Sequence, residues 1–181
     1  DLSCNPVGDV RLHFTWFPDA GDGGITLQMN HDQDVFTANL GVDGTAGLEH
    51  RRSSSMGLRP ARSQAKFSDR PLNAGRAVEI DLANVDYRVS LKVDGRELLH
   101  TTDQDYQPDM ARVLQISQRS GEAVKPTEIQ IACRRLYCRL RHVVIERDVY
   151  YRNPTLGSEP NKPVNPYNTW PGWGTTGHPI M

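Results

Sequence analysis

The amino-acid sequence predicts an all-β protein, an antiparallel β-sandwich, on three observations. Apolar and polar residues alternate with period two along most of the chain. The alternating stretches recur about every ten residues, and clusters of Gly, Asp and Asn separate them. Strict alternation marks a strand with one face in the core and one in water. No segment carries a sustained 3.6-residue stripe.

Taken in order, Val10, Leu12, Phe14 and Trp16 alternate with Arg11, His13 and Thr15 and form the first strand. Asp19–Gly24 reads as a loop, because Gly and Asp are turn formers. Ile25, Leu27 and Met29 make the second strand, and Phe36, Ala38 and Leu40 the third, followed by a turn at Asp43-Gly44. Arg51–Lys66 is rich in Arg and Ser and is expected to be an exposed connection that can hold an edge strand. Val78, Ile80 and Leu82 alternate again. Tyr87-Arg-Val-Ser-Leu-Lys-Val93 and Arg96-Glu-Leu-Leu-His100 flank Asp94-Gly95, the signal of a type I′ hairpin. Thr127–Tyr151 is the last β region. Ile129, Ile131 and Cys133 share a face; a break at Arg134–Tyr137, expected as a hairpin loop, precedes Cys138 and Leu140. The run Val143-Val144-Ile145 then shifts phase and calls for a bulge near His142.

The chain has 181 residues with 21 Lys and Arg against 22 Asp and Glu, a formal net charge of -1. That length suits one domain with a tail. We assign the sandwich to residues 1–152 and a Pro- and Gly-rich extension to 153–181, where Trp170-Pro-Gly-Trp-Gly174 is aromatic enough to dock on a packed surface. Near-zero net charge argues against binding nucleic acid through bulk electrostatics. No apolar run is long enough for a membrane-spanning helix. The chain starts at Asp1 without a signal segment, and we read it as an excerpt of a longer or processed protein.

Few residues suggest chemistry. If Arg134–Tyr137 is a loop, Cys133 and Cys138 lie opposite each other, within the range a disulfide accepts; the alternative is two buried thiols. Their spacing is not a usual zinc spacing, and Cys4 remains over. His13, His31, His50, His100, His142 and His178 are scattered, with His13 on a polar strand face. Asp19, Asp22, Asp32 and Asp34 surround the first hairpin, where calcium ligation competes with ordinary turn chemistry. Ser53–Ser55 with Lys66 invites a Ser/Lys nucleophile, but the polar, Arg-rich context would not hold a desolvated lysine base. Arg134, Arg135, Arg139 and Arg141 form a basic cluster, beside aromatic Tyr137, Tyr150 and Tyr151. We assign no catalytic residue, no cofactor and no metal ligand.

Two segments are the most specific. Leu82-Ala-Asn-Val-Asp-Tyr-Arg-Val-Ser-Leu-Lys-Val-Asp-Gly95 and His142-Val-Val-Ile-Glu-Arg-Asp-Val-Tyr-Tyr151 resemble the extra domain of enlarged bacterial signal peptidase I proteins, which reads "ANVDDR-x-x-L-x-VDG" and later "RD-x-YY". Gly8–Phe14 is similar to the first strand of that domain. Gly174-Thr-Thr-Gly-His-Pro-Ile180 resembles the approach to that family's "GDN" box. The resemblance implies a concanavalin A-like jelly roll, placed on the periplasmic side in a membrane-anchored parent that cleaves signal peptides with a Ser/Lys pair. The parent's nucleophile motif, S-M-x-P, is not matched by Ser55-Met56, so no catalytic role transfers to Ser55 or Lys66.

Two functions follow as expectations. The first is a non-catalytic binding or positioning module of a signal peptidase I-like protein, with an envelope glycan or a protein as partner and contact with the membrane only through other parts of the parent. The second is an independent carbohydrate-binding module of the concanavalin or laminin-G type. A glycosidase is weakest, because no strand carries the paired carboxylates that retaining hydrolysis needs.

Overall fold

The computed structural model describes residues 9–52, 61–107 and 127–147. Among these residues eight strands form: β1 (Val10–His31), β2 (Asp34–Gly41), β3 (Thr45–Arg52), β4 (Ala61–Lys66), β5 (Val78–Val85), β6 (Arg88–Val93), β7 (Arg96–His100) and β8 (Glu128–Arg147). All pairings are antiparallel, in the order β4-β3-β2-β1-β5-β6-β7, with β8 against β1.

The two long strands organise the molecule. The first half of β1 pairs β5 through Val10↔Asn84 to Trp16↔Val78, and its second half pairs β2 through Gly24↔Gly41 to His31↔Asp34. β8 accompanies β1 along both halves. The β1/β8 ribbon bends between them, and two meanders, β2–β4 and β5–β7, hang from it as facing leaves. Their inner faces bury Leu12, Phe14 and Trp16, Ile25, Leu27 and Met29, Phe36, Leu48, Ile80, Leu82 and Leu91 in one core. The expected all-β antiparallel sandwich is what the chain adopts.

The bend explains where the pattern changes phase. On β1 the inward residues are even-numbered up to Trp16 and odd-numbered from Ile25 onward; register shifts between Pro18 and Ala20 and between Gly21 and Gly24 absorb the switch. Asp19–Gly24 is therefore not a loop between two strands but the crease of one. Glycine is needed there for proximity: a Cβ on Gly21 would strike the carbonyl oxygen of Arg135, and one on Gly23 that of Arg134. Gly21 also has φ 125°.

Arg134–Tyr137 is likewise no hairpin loop. β8 runs through it, with Arg134 opposite Gly24 and Leu136 opposite Gly21. The ladder to β1 supplies the backbone partners that a free loop would lack.

Other expectations hold. Asp94 (φ 49°) and Gly95 (φ 75°) both take positive φ, as a type I′ turn requires, and His142 (φ 52°) is the bulge residue, lying between Arg141↔Thr15 and Val144↔His13. β4 is the edge strand allowed within Arg51–Lys66; residues 53–60 lie outside the described part. So does the whole of 153–181, including Trp170 and Trp173.

Candidate functional site

The outward face of the β8-β1-β2-β3-β4 leaf is built by register. Paired residues of an antiparallel ladder share a face, so Gln64, Gly47, Asn39, Thr26 and Ala132 form one row across five strands. The next row holds Arg62, Glu49, Thr37, Gln28 and Gln130. On the other side run Lys66, Thr45, Gly41, Gly24 and Arg134. Glycine or alanine recurs in the centre, and longer polar side chains stand at the margins. The result is an open trough of about 870 Å³, floored by Gly24, Gly41 and Gly47 and edged by Gln64 and Lys66 on one side and Arg134 and Arg135 on the other.

Hydrogen bonds hold side chains of this face in place, both in the trough and beside it. Thr26 Oγ1 donates to Asn39 Oδ1 at 2.8 Å, and Gln28 Nε2 donates to Asn30 Oδ1 at 2.9 Å. Arg62 Nε lies 2.8 Å from Glu49 Oε2. Asp43 accepts from the Thr45 hydroxyl at 2.7 Å and its backbone N–H at 3.0 Å; those bonds, the hydroxyl's foremost, hold its carboxyl below the usual range. A strand surface ordered in this way has little freedom to lose when a ligand settles on it.

At the end of the same leaf lies a buried polar cluster. His50 Nε2 lies 2.8 Å from Asp34 Oδ1 and its Nδ1 2.7 Å from the Asp105 carbonyl oxygen, and Arg52 Nε donates to Asp34 at 3.0 Å. Burial works to raise the Asp34 pKa, but the bonds from His50 and Arg52 outweigh it and the net shift is downward. His50 stacks on Phe36 with centroids 4.7 Å apart, and Tyr106 closes the cluster edge-on. Burial foremost pushes the Tyr106 phenol up to about 12. This cluster ties residues 105 and 107 to β2 and β3, a structural role.

The other residues singled out by the sequence scatter. Arg139 pairs with Asp19 at 2.9 Å, and with Arg141 it lies over the Phe17 ring at 5.4 and 5.6 Å. Arg135 faces Asp22 at 3.4 Å. Asp19, Asp22 and Asp34 thus meet cations rather than one another, and no metal-binding group of His, Cys, Asp or Glu exists among the described residues. The serines at 53–55, His178, Tyr150 and Tyr151 lie outside those residues. Lys66 sits at the trough's edge. Cys133 and Cys138 both lie on β8 at the crease, with their Sγ atoms 3.0 Å apart. The trough itself escaped the sequence reading, because its members come from five strands and only the register brings them together.

No protein-family model matches the chain, and no curated protein does. Among solved structures it is similar to galectin LEC-6 of Caenorhabditis elegans, with TM-score 0.49, 13% identity, and coverage of 76% of this chain and 84% of that one. A tetrameric galectin from the ball sponge Cinachyrella sp. gives TM-score 0.49 and 14% identity over 83% of this chain and 97% of that one. The carbohydrate-binding module CBM66 from Bacillus subtilis gives 0.48 and 10% over 77% and 75%. None of the three is a signal peptidase. At identities of 10–14% the likeness carries no statement about function.

Proposed function

We propose that this domain is a carbohydrate-binding module that seats a glycan in the trough. The observation that carries the proposal is the row Gln64–Gly47–Asn39–Thr26–Ala132, polar groups set on a floor of small residues. Sugar hydroxyls both donate and accept, and neutral amides and hydroxyls match both roles. Glycine in the floor lets a pyranose ring approach the strands closely. The sheet fixes the spacing of these groups before any ligand arrives.

The test is a glycan array followed by titration of the best oligosaccharide. Asn39→Ala and Gln64→Ala should each weaken binding about tenfold, roughly 1.4 kcal/mol. Lys92→Ala, on the outward face of the other leaf, should leave affinity unchanged. Binding to no glycan, or equal affinity across all variants, would overturn the proposal.

A second reading, compatible with the first, places the module outside the cytoplasm in a signal peptidase I-like parent. It is favoured by Leu82–Gly95 and His142–Tyr151, whose sequences resemble that family's extra domain. Sequencing the reading frame beyond Met181 tests it: the "GDN" and "DSR" boxes should follow, and their absence would remove this reading while leaving the glycan proposal standing.

A further inference from the structure

We infer that Cys133 and Cys138 form a disulfide that staples the crease of the sandwich. The two residues are five apart on one strand, and an extended strand of that length would set their Cα atoms about 16 Å apart. Instead β8 arches over Arg134–Tyr137, with Arg135 at φ 51°, and brings the two Sγ atoms to 3.0 Å. Non-bonded carbon atoms rest about 3.5–4.0 Å apart, and sulfur is larger than carbon. Two thiols at this distance are therefore compressed, and a covalent bond relieves the contact.

The arch has its own cause. Six residues of β1 lie between Pro18 and Ile25, against the four of β8 between their partners Cys138 and Cys133, so the ribbon turns a corner here. Ile25, the partner of Cys133, is buried in the core, and Cys138 packs against the core's edge. Cys133 itself is exposed and Cys138 half-buried, and a bond between them would span the arch. The outside of the same arch carries Arg134 and Arg135, one wall of the trough. The bond would fix that wall whether or not a glycan occupies the trough.

The chemistry is thiol–disulfide exchange with a small disulfide such as oxidised glutathione. One thiol loses its proton, and the thiolate attacks the donor, releasing one glutathione thiolate and leaving a mixed disulfide. The second thiolate then attacks the protein sulfur of that adduct, forms the Cys133–Cys138 bond and expels the second glutathione. Two electrons pass to the donor, and two protons leave the protein. Burial, with Cys138 adding to it, pushes the Cys133 thiol up to about 11, so formation should be faster in alkaline buffer.

The experiment uses the whole chain with Cys4→Ser, which removes the third thiol. After equilibration with oxidised and reduced glutathione, alkylation and peptide mass spectrometry should find Cys133 joined to Cys138 and both protected from the alkylating agent. Cys138→Ser should instead retain glutathione on Cys133. Hydrogen exchange of the oxidised chain should be about tenfold slower at residues 134–138 than that of the reduced chain, with the strands of β5–β7 unchanged. Two alkylated thiols after equilibration in excess oxidised glutathione, or identical exchange in both redox states, would overturn the inference. Glycan binding is not read in this experiment, so its outcome is separate from that of the trough.

Discussion

The outward faces of the two leaves use their polar side chains differently. On the β5–β7 leaf, charged groups are matched across strands: Arg11 lies between Asp81 and Glu146, and Glu97 accepts from Arg88 at 2.6 Å with His100 Nδ1 3.1 Å away. Near its turn, Arg76 reaches Asp94 at 3.5 Å. On the β2–β4 leaf the trough holds amides, hydroxyls and glycines, edged by Lys66, Arg134 and Arg135, and the cross-strand ion pair of the same face, Arg62–Glu49, stands outside it. Inward, both leaves bury the same kind of aliphatic and aromatic residues. A surface whose charges are mutually compensated offers little to a neutral polar ligand, whereas a trough of ordered amides offers a pattern of donors and acceptors. The shared core makes the two faces comparable, and the difference between them points to the trough.

The largest expected effect breaks the shared core. Phe36 is fully buried and stacks on His50. Phe36→Ala should cost about 3–5 kcal/mol, and urea denaturation should still show one transition. Two separate transitions would mean that the leaves fold independently and that the faces do not share a foundation.

A smaller effect sharpens the account of the trough's leaf. Asp34 has its pKa held below the ordinary value of 3.8 by His50 and Arg52 against the opposing effect of burial. A depressed carboxylate contributes stability that is fully present above its unfolded value and is lost as pH falls through its folded one. Asp34→Asn should therefore cost about 1–3 kcal/mol near neutral pH and flatten the fall in stability below pH 4. An unchanged acid limb would remove Asp34 from the explanation.

The smallest effect belongs to the charge-matched leaf. Glu97→Ala removes the partner of Arg88 and His100 at a surface where each is at least a third exposed or nearly so. Such pairs contribute about 0–1 kcal/mol and less in high salt. A loss several times larger, read from the urea midpoint, would show that this face is structurally essential rather than merely compensated.

Local chemistry was legible in the sequence wherever one segment carried the whole signal. Alternation placed Leu12, Phe14 and Trp16 inward, Asp94-Gly95 announced its turn, and the run at Val143–Ile145 demanded the bulge found at His142. The turn at Asp86-Tyr87, with φ of 49° and 60°, was missed because neither residue is the Gly or Asn that usually marks such positions. Asp19–Gly24 reads as a loop from its Gly and Asp content and Arg134–Tyr137 from a lapse in the alternation, while the structure uses the glycines of the first to let two strands pass closely. The trough was illegible for a different reason: Gln64, Asn39 and Thr26 become neighbours only through ladders that the sequence does not spell out.

The crease also sets a rule of parity. Because β1 changes from even to odd inward positions within Pro18–Gly24, a single residue inserted there would be absorbed or would turn one leaf inside out while sparing its twin. Length changes in this short stretch are thus far more hazardous than its turn-like composition suggests, and the molecule's two halves are held in step by the count of residues between them.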